Sequence, residues 1–354
     1  MDYTRRNLLK SASALLAAPL LERVVFSETP EPAQNNPVRD PLSYVNPEFR
    51  APLAKFPSYS LDAKVLEILR AREKSAPSKP LLPGVSEHWA PGSNGAPKVR
   101  LYVAGNVPGA SKPAIFHIHG GGMVLGSGVI TQDDIDTVNE LDCVMVSVDY
   151  RLAPEAKFHG ISEDNYAGLR WMNENAKTLG IDPTRIAVKG ESAGGGLAAM
   201  LAIAVRDRKE FTFCQQVLIY PMLDDHTGST RKLPPYLGHY IWTPQSNQFG
   251  WSSFLGVPAG SKTVPKNSVP ARVQNLGGLA PAFVGVGSID LFAPEDIEYS
   301  RRLIEAGVST ELMVVPGGYH GFDLFCPHAS LTKEFRNAWS SALRRAFAKD
   351  STSS

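Results

Sequence analysis

The sequence predicts an α/β fold: an open, doubly wound, mostly parallel central sheet with helices on both faces. Two patterns carry that expectation. Short continuous apolar runs bounded by turn residues recur along the chain, as strands buried on both faces do. Between them lie segments whose apolar residues repeat at helical spacing. Composition agrees: of 354 residues 43% are apolar and 20% charged, with 36 basic side chains against 35 acidic and a formal net charge of +1. That apolar share excludes a disordered chain, and the near-neutral balance lacks the basic excess of a non-specific nucleic-acid binder. Three cysteines are too few for a disulfide framework, and no apolar run is long enough to span a bilayer as a helix.

Taken in order, the first residues read as an address. Thr4-Arg5-Arg6-Asn7-Leu8-Leu9-Lys10 resembles a twin-arginine export signal, with Thr4 in place of the usual Ser and Leu8 in place of the usual Phe. The apolar stretch from Ser11 to Leu21 is too short to cross a membrane but fits a signal-peptide core. Residues 1–27 are therefore expected to be a signal sending the rest, 28–354, to the periplasm or the outside. A frayed amphipathic helix on a cytoplasmic protein is the alternative.

Residues 28–60 are Pro-rich and aperiodic, an arm or linker. Leu61 to Lys74 is helical, with Leu61, Val65, Leu66, Ile68 and Leu69 on one face. Val85–Ala90 and Val99–Ala104 alternate like strands around the turn at 91–95. Buried strands follow at Ala114–His119, Cys143–Asp149, Arg185–Lys189, Gln216–Tyr220, Pro281–Val286 and Glu311–Val315. Helices are expected at Ser162–Thr178, Ala193–Arg208, Pro294–Ala306 and Leu331–Ala348. Residues 222–270 break the rhythm with Pro, Gly and aromatics and no sheet pattern. A long irregular insertion of this kind is more often functional than accidental. Cys143, Cys214 and Cys326 are read as small buried hydrophobes.

Two motifs carry chemistry. Gly190-Glu191-Ser192-Ala193-Gly194 joins a strand to a helix and is a G-x-S-x-G turn in the context that gives it meaning. Such a turn exposes Ser192 at the carboxyl edge of the sheet, beside a helix N-terminus that favours negative charge. His119-Gly120-Gly121-Gly122 directly follows the strand before it. Acyl transfer places negative charge on a carbonyl oxygen, and main-chain N–H groups free of side chains can approach that oxygen closely. Gly121 and Gly122 are the expected oxyanion donors, with Ala193 as the third and Gly120 as a further candidate.

With these motifs on the page, the chain resembles the hormone-sensitive-lipase-like, HGGG-type carboxylesterases of the α/β-hydrolase superfamily. Asp149-Tyr150-Arg151-Leu152-Ala153-Pro154-Glu155 supports the resemblance, which runs from about Val99 to Ala348. Three positions depart from the family pattern. Met123 stands where a bulky aromatic is usual, Glu191 where Asp is commoner, and Asp290-Leu291-Phe292 where Asp-Pro-Leu is usual. The resemblance implies a serine hydrolase acting on short-chain acyl esters, with no metal or organic cofactor, as a monomer or homodimer. It also implies a cap built from about 28–80 and 222–270.

The base and acid follow the serine in chain order. His320 sits in an H-G-F context just past the last strand, as the family's catalytic histidine does, and seven other histidines compete with it. Asp290, past the strand Pro281–Val286, is the expected acid that orients the imidazole; Glu295 and Asp296 are its rivals. Other readings keep the fold: an amidase or thioesterase with the same triad, a non-catalytic small-molecule receptor, or a metal hydrolase using His117, His119, Asp224, Asp225 and His226.

Overall fold

One eight-stranded sheet organises the computed structural model, which describes residues 40–55, 60–75 and 80–348. The strands are β1 Val85–Ala90, β2 Val99–Ala104, β3 Lys112–Ile118, β4 Val144–Asp149, β5 Ile181–Glu191, β6 Gln215–Ile219, β7 Ala282–Gly287 and β8 Thr310–Val315. Their order is β1-β2-β4-β3-β5-β6-β7-β8. Strand β2 runs antiparallel to β1 and β4, and the remaining neighbours are parallel. The expected signal at 1–27 lies outside the described residues.

The helices are α1 Ala63–Ser75, α2 Gln132–Leu141, α3 Phe158–Glu174, α4 Ala176–Leu179, α5 Ala193–Arg208, α6 Pro244–Leu255, α7 Ala293–Glu305, α8 Phe322–Phe325 and α9 Ser330–Phe347. The two-residue period of a strand sorts side chains between the faces of the sheet. Phe116, Ile118, Val146, Val148 and Val188 join the core under α3, α5 and α7. Ile115, Met145, Ala187 and Val217 point the other way, into the core under α2 and α9. Contiguous apolar runs are needed because both faces are covered.

Helices α2 and α6, and the single turn α8, lie where the sequence expectations placed no helix. Helix α2 is rich in acidic residues and shows the core little more than Val138 and Leu141, so its apolar stripe is thin. It is nucleated by a capping box in which the Thr131 side chain accepts from the Asp134 N–H and Asp134 accepts from the Thr131 N–H. Within 222–270, expected to be irregular, α6 starts at a Thr243 cap and stops at Gly256 in the left-handed region. Its buried stripe includes Trp251 and Phe254. Cys143 and Cys326 are buried, whereas Cys214 is only half-buried.

The segment that enters α1 meets the start of α6. The Leu61 N–H donates to Ser246 Oγ at 2.8 Å, and Ser60 Oγ lies 2.9 Å from Thr243 Oγ1. The Arg70 guanidinium donates to the carbonyls of Val124 and Ala153, tying α1 to that loop and to the turn after β4.

Candidate active site

Every sequence-predicted site residue lies at the carboxyl end of a parallel strand, where open α/β sheets bind ligands. Ser192 follows β5, the glycine motif follows β3, Asp290 follows β7 and His320 follows β8. The chain reverses so sharply at Ser192 that its φ and ψ are 57° and −122°. A side chain at Gly194 is impossible here: its Cβ would fall 2.0 Å from the Ile118 carbonyl oxygen. The turn is fixed by main-chain bonds, from the Ser192 N–H to the Ile219 carbonyl at 2.8 Å and from the Met222 N–H to the Ser192 carbonyl at 3.0 Å.

The structure brings Ser192, His320 and Asp290 into one hydrogen-bonded chain. His320 Nε2 lies 2.8 Å from Ser192 Oγ and His320 Nδ1 lies 2.8 Å from Asp290 Oδ2. The other Asp290 oxygen accepts from the Phe292 N–H at 3.0 Å. A carboxylate on Nδ1 fixes the tautomer with its proton there, which leaves Nε2 to accept from the serine hydroxyl. Asp290 is fully buried, and the imidazole is packed edge-on against Phe292 and Tyr220, with centroids 5.2 and 4.9 Å away.

The two rival acids are placed elsewhere. Glu295 accepts from the N–H groups of Leu223 and Asp224, bracing the chain after β6. Asp296 is fully buried with no partner for either oxygen among the described residues. Burial pushes both carboxyls well above the usual carboxylate range, helped for Glu295 by Asp224 and for Asp296 by Glu295 and Asp290.

Gly120, Gly121 and Gly122 line the same cavity as Ser192. Among the described residues, the N–H groups of Gly121, Gly122 and Ala193 have no hydrogen-bond partner. His119 shapes this loop and takes no part in a metal site. Its Nδ1–H donates to the Gly120 carbonyl at 2.8 Å, and its ring stacks on Tyr150 at 4.2 Å. Burial pushes the imidazole down to about 4, so it is neutral at physiological pH. Gly122 has a φ of 62°, and a Cβ there would meet the Trp242 ring at 2.2 Å. That tryptophan comes from the 222–270 insertion, and its ring centroid lies 6.2 Å from that of His320. The cavity has a volume of about 610 Å³ and reaches from Ser192 towards α2 and α9.

The proposed metal ligands do not converge. His117 contacts Ser147 and Glu191. Asp224, Asp225 and His226 do place ligand atoms within 4.8 Å of one another. Their capacity is spent on cations of the protein itself, however. Arg272 forks onto both Asp225 oxygens, Arg231 pairs with Asp224, and His226 Nδ1 lies 2.8 Å from Asp224. This is a salt-bridged brace, and the donor set does not suit an added ion. Arg151 forks onto Asp164 at 2.7 Å and so ties the turn after β4 to α3.

Sequence reasoning missed Lys189, which pairs with Glu191 under the nucleophile turn. A lysine and a glutamate two positions apart in a strand share one face, and that spacing was the available signal.

Comparison with known proteins agrees with this geometry. A family model described as alpha/beta hydrolase fold matches residues 115–324. The chain is 33% identical to carboxylesterase NlhH of Mycobacterium tuberculosis over 313 residues, covering 85% of this chain and 96% of the relative. It is 34% identical to an ethyl acetate hydrolase of Pseudomonas putida over 233 residues, covering 63% of this chain and 70% of that one. The solved structure of a bacterial heroin esterase superposes with a TM-score of 0.75 at 31% identity, covering 87% of this chain and 99% of that one.

Proposed function

The chain belongs to the α/β-hydrolase family, in its hormone-sensitive-lipase-like carboxylesterase branch, and is a carboxylic ester hydrolase; from that premise we propose the roles of its site residues. Ser192 is the nucleophile, His320 the general base and acid, and Asp290 the residue that orients His320. The observation that carries this is the Ser192–His320–Asp290 chain, with 2.8 Å at each step.

A serine hydroxyl is a poor nucleophile at neutral pH. His320 Nε2 takes its proton as Oγ attacks the ester carbonyl, and the imidazolium that forms is stabilised by Asp290. The tetrahedral oxyanion is held by the N–H groups of Gly121, Gly122 and Ala193, with Gly120 as a further donor. Such donors are each worth roughly 3 kcal/mol of barrier. Collapse breaks the bond to the alcohol oxygen, which leaves with the proton from His320. Water then repeats the sequence on the acyl-enzyme, delivering its proton to His320 and releasing the acid.

Short-chain acyl esters are the substrates this reading favours. Trp242 stands against Gly122 and beside His320, which supports a cap made of the insertion carrying it and the N-terminal segment that packs on α6. A relative named for ethyl acetate points the same way. The Arg5-Arg6 segment supports export of the folded chain, which N-terminal sequencing of the extracytoplasmic protein tests. The deciding experiment is a panel of p-nitrophenyl esters of rising acyl length, with matched thioester and anilide substrates. It is run on the protein and on Ser192→Ala. Fastest turnover is expected at acetate or butyrate, with none by the folded variant. Retained hydrolysis in that variant overturns the assignment, and a faster anilide or thioester moves the enzyme to another bond.

A further inference from the structure

Strands β4, β3 and β5 lie side by side, and their register sets three polar side chains in a row. His117 is opposite Ser147 on one side and Lys189 on the other. All three point to the face covered by α2 and α9, and His117 and Lys189 border the cavity that reaches from Ser192 towards those helices. Glu191, two residues beyond Lys189 on the same strand face, closes the row. One of its oxygens accepts from the Lys189 ammonium and the other lies 2.9 Å from His117 Nε2. His117 Nδ1 in turn lies 3.0 Å from Ser147 Oγ. Lys189 is nearly fully buried, with its ammonium 5.1 Å from the centre of the Trp339 ring.

None of these four residues has a part in the ester mechanism above. Their placement gives them one. Glu191 is bonded directly to Ser192, whose backbone lies where an L residue stays only if its surroundings hold it. The Glu191 carbonyl oxygen is 2.9 Å from where a Cβ on Gly120 would sit, and Ser192 Cβ is 3.4 Å from the same point. The oxyanion loop therefore rests directly on the peptide that Glu191 anchors. A shift of Glu191 moves the nucleophile and the donor loop together.

We propose that Lys189 and His117, acting through the Glu191 carboxylate, are positioning residues that lock the nucleophile turn against the glycine-rich loop. The proposal rests on the serine-esterase reading above. Burial opposes the charge on Glu191, but Lys189 and His117 outweigh it and hold the carboxyl well below its usual range. The other titratable groups around it are His119 after β3, Tyr150 after β4, Tyr220 after β6, Asp134 on α2 and Asp323 on α8, with Arg336 of α9 against Asp323. None of them is a cation in contact with Glu191, so removing Lys189 leaves the carboxylate without its main counter-charge. Its pKa then rises into the working range, and protonation releases the anchor.

The test is the pH dependence of p-nitrophenyl acetate hydrolysis by Lys189→Met, Glu191→Gln and the double variant. For Lys189→Met, kcat at pH 7 falls about tenfold with KM changed by less than about twofold, the mark of lost alignment. Its profile gains a second acidic limb beside the one that protonation of His320 gives the parent. The double variant, with no carboxylate to protonate, loses that second limb. A parental kcat and profile in Lys189→Met, or a second acidic limb that survives in the double variant, overturns the proposal. Should Lys189→Met fail to fold, the near-isosteric Glu191→Gln decides: its Ser192 reacts with a fluorophosphonate about tenfold more slowly, and an unchanged rate in the folded variant overturns the proposal. A parent that neither hydrolyses the ester nor is labelled at Ser192 would instead sink the esterase reading.

Discussion

Two serine–histidine–carboxylate chains run through the carboxyl half of this sheet. Ser192–His320–Asp290 and Ser147–His117–Glu191 are built from the same residue types with similar spacings, 2.8 and 2.8 Å in the first, 3.0 and 2.9 Å in the second. They differ in everything around the hydroxyl. Ser192 borders the cavity at a forced turn that opens a helix, next to unengaged main-chain donors. Ser147 lies inside β4, fully buried. The rings are also turned: Nδ1 meets the carboxylate in the first chain and the serine in the second. A hydrogen-bonded order of side chains is thus not what makes a nucleophile. Access, backbone conformation and a place for the oxyanion do that, and the second chain serves to hold the first in place.

Substitutions can break or sharpen this contrast. The largest effect is expected from the paired serines. Ser192→Ala should lower kcat on the order of 10⁶-fold. Ser147→Ala forfeits one neutral hydrogen bond, about 1 kcal/mol, and should cost no more than about fivefold. Equal losses in steady-state assays of the two would break the comparison. Next comes Asp290→Asn, which leaves the shape but favours the wrong tautomer of His320. A drop in kcat of about 10⁴ with little change in KM is the expected result. Gly122→Ala forces a Cβ into the Trp242 ring at a backbone angle that suits glycine, so the donor loop must shift. A fall in kcat of about 10²-fold should accompany it.

The smallest effect concerns stability. Asp296 has a folded-state pKa raised by burial and by the neighbouring Glu295 and Asp290. The native carboxyl therefore keeps its proton where the unfolded one has ionised, and stability falls as pH rises above the ordinary carboxylate range. Asp296→Asn does not titrate. Its melting temperature should gain on the parent by a few degrees more at pH 8 than at pH 5, read by calorimetry. A constant difference across that range would remove Asp296 from the account.

Much of this was legible in the sequence because the physics was local. Val85–Ala90 and Val99–Ala104 alternate cleanly and lie where alternation puts them. The residues of the first chain announce themselves through turn chemistry, since only a glycine-flanked reversal presents Ser192 as it does. Helix α2 was hidden because its stripe of Val138 and Leu141 is too thin to register against ten mostly polar positions. Helix α6 was masked by Gly250 and by aromatics that carry no period of their own. The second chain was illegible for another reason. It needs the registers of β4, β3 and β5 at once, and no single segment records which strands will be neighbours.

Gly122 and Trp242 have a consequence for anyone recombining this enzyme with its relatives. The ring that walls the substrate space is the same ring that leaves the donor loop no room for a methyl group. A chimaera carrying a foreign lid would thus alter turnover along with selectivity. Positions 122 and 242 should be exchanged as a unit, with the loop and its covering segment drawn from one parent.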